Sequence, residues 1–183
     1  MPATHRRYTA AEVREFPADG NRYEVIRGEL QVTPAPRPRH DIVVMRLSML
    51  LSQYLLPLGR ADTLFAVPAD ISWDDTTLVQ PDLLVVTPEE LTNDWSTYRT
   101  LLLAAEVISP SSRRRDRIEK RRLYQEEGVG TYWVVDHDAG LVEQWEPDDE
   151  RPLVVADTLV WRVTQAAPEL RIDLAKLFQG LPE

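Results

Sequence analysis

The 183-residue chain contains no cysteine. Disulfides, thiol catalysis and Cys-ligated zinc or iron–sulfur centres are therefore excluded, and a reducing, cytoplasmic setting is the expectation. Long hydrophobic runs are also missing. The longest uninterrupted apolar stretch, Leu101 to Ala105, is strand-sized, far short of the roughly 18 residues of a membrane span, so no membrane partner is expected. His5, Arg6 and Arg7 near the start are not followed by an apolar segment, so no export signal is expected. Positive charge is in deficit: 21 Lys and Arg stand against 30 Asp and Glu, a net charge of −9. Such a surface is a poor non-specific binder of nucleic acid.

What is present fits one globular domain over residues 1–183. Hydrophobic residues make up 43%, enough to bury a core, and charged residues 28%. The cations that do occur are clustered. Seven of the 21 fall between positions 113 and 122: Arg113, Arg114, Arg115, Arg117, Lys120, Arg121 and Arg122. An acidic protein with one basic segment can still bind a phosphate locally, weakly and with strong salt dependence.

Patterning predicts a short helix at Ala10 to Glu15 capped by Thr9, then two strands, Tyr23 to Ile26 and Glu29 to Thr33, around an Arg27–Gly28 turn. A helix from about Arg39 to Leu55 follows a Pro-rich connector; His40, Val43, Val44, Leu47, Leu50, Leu51 and Tyr54 recur at helical spacing. Strands are expected near Thr63 to Val67, Asp70 to Trp73 and Asp82 to Val86. Leu101 to Ile108 reads as a strand buried on both faces. A helix from about Arg113 to Glu127, stopped by Gly128, precedes strands at Tyr132 to Asp136, Leu141 to Trp145, Leu153 to Ala156 and Leu159 to Val163. A last helix covers Asp173 to Phe178. The order implies an α/β or α+β mixed sheet flanked by helices.

Two acids interrupt this apolar patterning. Asp82 opens a core strand in Gln80-Pro81-Asp82-Leu83-Leu84, and Glu106 sits near the end of another in Ala105-Glu106-Val107-Ile108. Ionised carboxylates are costly in apolar strands unless paired or metal-bound. Mg²⁺ or Mn²⁺ is commonly held by one or two carboxylates, and the Val107 carbonyl is a reasonable further ligand. Lys120 shares a helix face with Asp116, Leu123, Tyr124 and Glu127, which carries its ammonium toward the sheet, while Arg113, Arg117 and Arg121 share a solvated face. A lysine aimed at two carboxylates and a metal suits phosphodiester hydrolysis, orienting water and offsetting charge on phosphorus oxygens. Alone, Asp82 reads equally as a turn residue and Lys120 as a solvated one. Glu29 is either a third acid or an exposed strand residue. His40 is either a core or near-site histidine or a ligand or base.

These motifs, together with Arg22-Tyr23-Glu24-Val25-Ile26-Arg27-Gly28-Glu29-Leu30, Glu106-Val107-Ile108-Ser109-Pro110-Ser111-Ser112 and Tyr132-Trp133-Val134-Val135-Asp136, resemble the Uma2 family, also called DUF820, over roughly residues 20–145. The resemblance implies a restriction-endonuclease-like fold with PD-(D/E)XK chemistry. There the lysine stands two residues after the second acid. Here Ile108 and Ser109 follow Glu106-Val107, so Lys120 from the next helix would replace it. The implied activity is a Mg²⁺- or Mn²⁺-dependent DNA endonuclease: Asp82, Glu106 and Val107 as ligands, Lys120 positioning water, Glu29 supporting, and His40, Asp116 and Tyr124 nearby. DNA would meet the 113–122 segment, and a homodimer through the apolar C-terminal strands bearing Trp145 and Trp161 is expected. The alternative is a catalytically silent nuclease fold used for binding or assembly. A glycosidase is a weaker reading, for want of an aromatic-rich sugar cleft.

Overall fold

A computed structural model describes residues 6–182. Six strands form the main sheet, in the order β3 (Leu64–Phe65), β4 (Leu83–Val86), β5 (Leu101–Val107), β6 (Tyr132–Asp136), β7 (Leu141–Trp145) and β8 (Leu153–Val155). All neighbours are antiparallel except β5 and β6. A parallel pair needs a long crossover, supplied here by α3. This element runs through Arg113–Arg115, a π-helical turn over Asp116–Lys120, and Arg121–Glu126. Gly128, at φ 68, lies just beyond its end, where a left-handed residue is favoured.

Side-chain alternation divides the core in two. Leu83, Val85, Leu103, Ala105 and Val107 face α2 (Pro38–Leu55), the hairpin of β9 (Thr158–Trp161) and β10 (Leu170–Asp173), and α4 (Leu174–Phe178). Leu84, Val86, Ala104, Tyr132 and Val134 face Leu123 and Tyr124 of α3. α2 begins with Pro38 at its first helical position and buries Val43, Leu47, Leu51 and Leu55, one turn apart. Each of those buried side chains contributes about 1.5–3 kcal/mol through area removed from water. Through Leu58 this helix is, by length and composition, apolar enough to cross a bilayer, although no single apolar run in the sequence is. Its inward line of residues is instead built into the sheet core.

β1 (Arg22–Ile26) and β2 (Glu29–Thr33) form a separate hairpin, tied to the strand-like segment before β4 by paired bonds between Val25 and Leu78 of 2.9 and 2.7 Å. Below it, α1 (Ala10–Arg14) is capped as its sequence predicts: the Thr9 hydroxyl accepts from Glu12 N and the Glu12 carboxylate accepts from Thr9 N. Two expectations fail. The strand expected at Asp70 to Trp73 is reduced to an isolated bridge, Ile71 to Val79, because the neighbouring chain is too irregular to continue a ladder. β10 was not foreseen as a strand; Leu170 and Ile172 point into the core and Arg171 outward, an alternation too short to stand out.

Candidate active site

Asp82 lies one step before Leu83, whose partner across the antiparallel β4–β5 ladder is Ala105. Continuing that register sets Asp82 opposite Glu106. Alternation places both on the α3 side of the sheet, with Leu84 and Ala104. Asp82 is buried, and its Oδ2 accepts from the Val107 backbone N–H at 2.8 Å, so the carboxylate extends the ladder just before β4 begins. Arg22 of β1 donates to Oδ1 at 2.7 Å and also to the Gln80 carbonyl at 3.1 Å. His40, in the first turn of α2, meets Oδ2 through Nε2 at 3.0 Å and Asp41 through Nδ1 at 3.1 Å. Only the imidazolium donates from both nitrogens. Burial would push Asp82 up, but the His40 hydrogen bond and the Arg22 charge hold it well below the usual carboxylate range. Burial would likewise lower His40, and its bond to Asp82 raises it instead.

Glu106 has the opposite character. Burial pushes its carboxyl up to about 8; Lys120 opposes the rise, while Asp82, Asp116 and Glu24 add to it. Its Oε1 accepts from Lys120 Nζ at 2.6 Å and from the Tyr124 hydroxyl at 3.2 Å. Lys120, one of two lysines in the chain, is fully buried. The π turn leads into the helical stretch that carries Tyr124, and such turns recur at functional sites. Burial alone would lower the ammonium, but Glu106, Glu24 and Asp116 keep it charged.

The acid that sequence reasoning missed is Glu24. It is fully buried in β1, its Oε1 lies 2.7 Å from Lys120 Nζ, and it accepts from the Gln80 backbone N–H at 2.7 Å. Against the effect of burial, Lys120, Arg115 and Arg22 hold it ionised. Its signal was available, because an acid inside Tyr23-Glu24-Val25-Ile26 is the same anomaly as Glu106 inside β5. Glu29, chosen instead, is exposed at the start of β2 and makes no ion pair among the described residues. Glu29 pairs with Ile26 and so shares the face of Glu24, but it sits at the turn end of the hairpin, exposed, whereas Glu24 lies where Lys120 reaches it. Asp116 is buried in the π turn beside Arg115, with burial raising its carboxyl.

Much of the basic segment is consumed inside the fold. Arg115 is buried against Glu24, Asp116 and the Thr33 hydroxyl. Arg117 is not solvated as expected: it binds Asp136 at 2.9 Å and Glu143 at 2.6 Å. Arg121 lies over the Trp145 ring and bonds Gln125, again departing from the solvated face expected of it. Arg114 and Arg122 are the members left exposed, with Arg113 half-exposed near Asp136 and Asp138. No continuous cationic strip results. Trp145 and Trp161 are also buried, the latter against Trp133 and donating to the Thr131 hydroxyl, so neither offers an intermolecular surface.

The donor chemistry fits a hard divalent cation. Two carboxylates face one another, and one of them, Glu106, carries an unfavourable buried charge that a cation would relieve. Nearby, the buried Oε2 of Glu24 has no hydrogen-bond donor. Asp82, Glu106 and the Val107 carbonyl would hold the ion, leaving positions for water and phosphate. Among the described residues no three Asp, Glu or His side chains converge as a ready metal cage. A two-carboxylate Mg²⁺ or Mn²⁺ site does not require one.

Residues 10–175 match the family model Uma2, described as "Putative restriction endonuclease". Among solved structures, the chain is similar to a crystal structure described as a putative nuclease belonging to DUF820 from Anabaena variabilis ATCC 29413. The TM-score is 0.76 and the identity 20%, over 95% of this chain and 99% of that one, a likeness of fold. No curated protein matches.

Proposed function

The chain belongs to the Uma2 family, and from that premise we propose that it is a Mg²⁺- or Mn²⁺-dependent nuclease that hydrolyses DNA phosphodiesters. The observation that carries this reading is the pair Asp82 and Glu106, opposed across β4 and β5 with Lys120 bound to the second acid at 2.6 Å. Asp82, Glu106 and the Val107 carbonyl are the proposed ligands. The ion, when bound, would lower the pKa of a water and polarise the phosphoryl group. Lys120 holds Glu106 from behind and supplies a fixed positive charge to a centre that becomes more negative as the phosphorane forms. Tyr124 fixes the same carboxylate oxygen. Glu24 anchors Lys120 from its other side, so the ammonium is oriented before substrate arrives. Arg22 and His40 set the position of Asp82.

A specific observation favours the silent-scaffold reading. Both Asp82 oxygens already have donors, Arg22 on Oδ1 and His40 and Val107 N on Oδ2, so an ion would compete with these side chains for the carboxylate.

Calorimetry with Mn²⁺, beside cleavage of single-stranded, duplex and branched DNA at low salt with an EDTA control, decides between them. The nuclease reading expects metal binding and cutting by the wild type, and loss of both in Glu106→Gln, which keeps shape but not charge. Metal-loaded wild-type protein that leaves every DNA uncut would establish the scaffold reading.

A further inference from the structure

Besides its buried line, α2 carries a second apolar line on its outer surface. Met45 and Met49 are each 55% exposed and Leu56 67%, on the side of the helix opposite Val43, Leu47 and Leu51. Their spacing is regular. Pro38, Ile42, Met45, Met49, Ser52 and Leu56 alternate four and three residues apart, the repeat that forms the seam of two paired helices.

The seam is complementary to itself in one orientation. If a second α2 runs antiparallel, about a two-fold axis between residues 50 and 51, Met45 faces Leu56 of the second copy and Met49 faces its Ser52. The large, flexible thioether meets the small side chain, and the two outer layers are wholly apolar. The same operation carries Asp41 toward Arg60 of the second copy, just past its helix end. The Asp41 side chain is 63% exposed, and Arg60 has no ion pair among the described residues. Apolar layers inside and opposite charges outside are what an isologous two-fold contact requires.

We propose that α2 is the contact through which two copies of this chain form an antiparallel homodimer. The inference goes beyond the nuclease reading and does not depend on it. It has a consequence for that reading, because His40 lies near the start of α2 and touches Asp82. At 1.5 Å per residue, the two His40 positions stand roughly 30 Å apart along the pair, giving two separated sites, each on the side of its α2 turned away from the contact.

Sedimentation equilibrium of the full chain over a hundredfold range of concentration is the first test. The expected result is association toward twice the 21.0 kDa chain mass, reverting to a monomer in Met49→Lys with an unchanged circular dichroism spectrum. Because the chain lacks cysteine, register can be read by cross-linking. Met45→Cys and Leu56→Cys proteins form a disulfide when mixed. Neither forms one alone, since two copies of residue 45 lie roughly 16 Å apart along the axis. A wild-type monomer at the highest concentration overturns the proposal. So does a dimer that survives Met49→Lys, or Met45→Cys protein that cross-links as well alone as in the mixture.

Discussion

Replacing Lys120 by methionine removes the one ammonium shared by two buried carboxylates, at 2.6 Å from Glu106 and 2.7 Å from Glu24, while keeping most of its apolar stem volume. Breaking a buried ion pair by deleting one partner costs about 3–5 kcal/mol, because the remaining charge stays out of water. The two acids respond differently. Glu106, already raised to about 8, escapes by binding a proton, which leaves it neutral at ordinary pH and still bonded to Tyr124. Glu24 keeps the Gln80 N–H and the guanidinium of Arg115 at 3.8 Å. The loss therefore depends on pH. A carboxyl whose folded pKa lies above its unfolded value of 4.5 contributes stability below that value and loses it as pH rises toward 8. In Lys120→Met the strongest opposition to that rise is gone, so the destabilisation should grow from the low end of the range near pH 5 to its upper end near pH 8.5. Urea unfolding in EDTA at the two pH values measures it. A loss below about 1 kcal/mol at both would show that Lys120 is not the charge holding the cluster together, and a loss independent of pH would show that Glu106 is not the proton acceptor.

Asp82→Asn should flatten the acid limb of the stability profile. A carboxyl held well below its unfolded 3.8 contributes stability above that pH and loses it as pH falls toward its folded value, so the gap between wild type and variant should begin to close only below about pH 4 and keep narrowing through the acid limb, measured as urea midpoints in EDTA. At the β1–β2 turn, Arg27 and Gly28 both hold positive φ, 52 and 83, as a two-residue hairpin turn requires, and a Cβ on Gly28 would lie 3.3 Å from Arg7 Cδ. Gly28→Ala should cost roughly 1–2 kcal/mol, while Arg27→Asn, which suits that backbone, should leave the melting temperature level or higher despite losing the exposed contact with Glu126.

Where sequence patterning was long and one-sided, it anticipated the structure. α2 and β5 lie close to where apolar periodicity put them, and Asp82, Glu106 and Lys120 come together because each is a charge set among buried residues. Glu24 has the same mark and was passed over for Glu29. Both acids lie on one face of the hairpin, and what separates them is position along it: Lys120 and Arg115 of α3 reach Glu24, while Glu29 sits exposed beside the turn, a distinction only the packed α3 makes. The basic segment misled for a related reason. Seven cations in ten residues look like a surface, but their acidic partners, Glu24, Asp136 and Glu143, are separated from them in sequence and adjacent only after β6, β7 and the hairpin have packed around α3.

The chemistry of this cluster turns on charge balance. Fully ionised, Glu24, Asp82, Glu106 and Asp116 would bring four negative charges against the four positive ones of Arg22, Arg115, Lys120 and the His40 imidazolium, but burial favours a proton on Glu106 up to about pH 8. A balanced buried cluster is self-sufficient as structure, and an arriving divalent cation must either displace positive charge or find surplus negative charge. Glu106 is where negative charge can be gained, since an arriving cation would favour loss of the proton that burial otherwise holds there. Asp82 is where an ion would compete with positive charge, and its two side-chain partners are not equally held. Arg22 is also bound to the Gln80 carbonyl within the packed hairpin, whereas His40 has only the exposed Asp41 as its second partner. His40 is thus the group that can leave Asp82 at least cost, and its position in the first turn of α2 puts the opening of the site at the start of that helix.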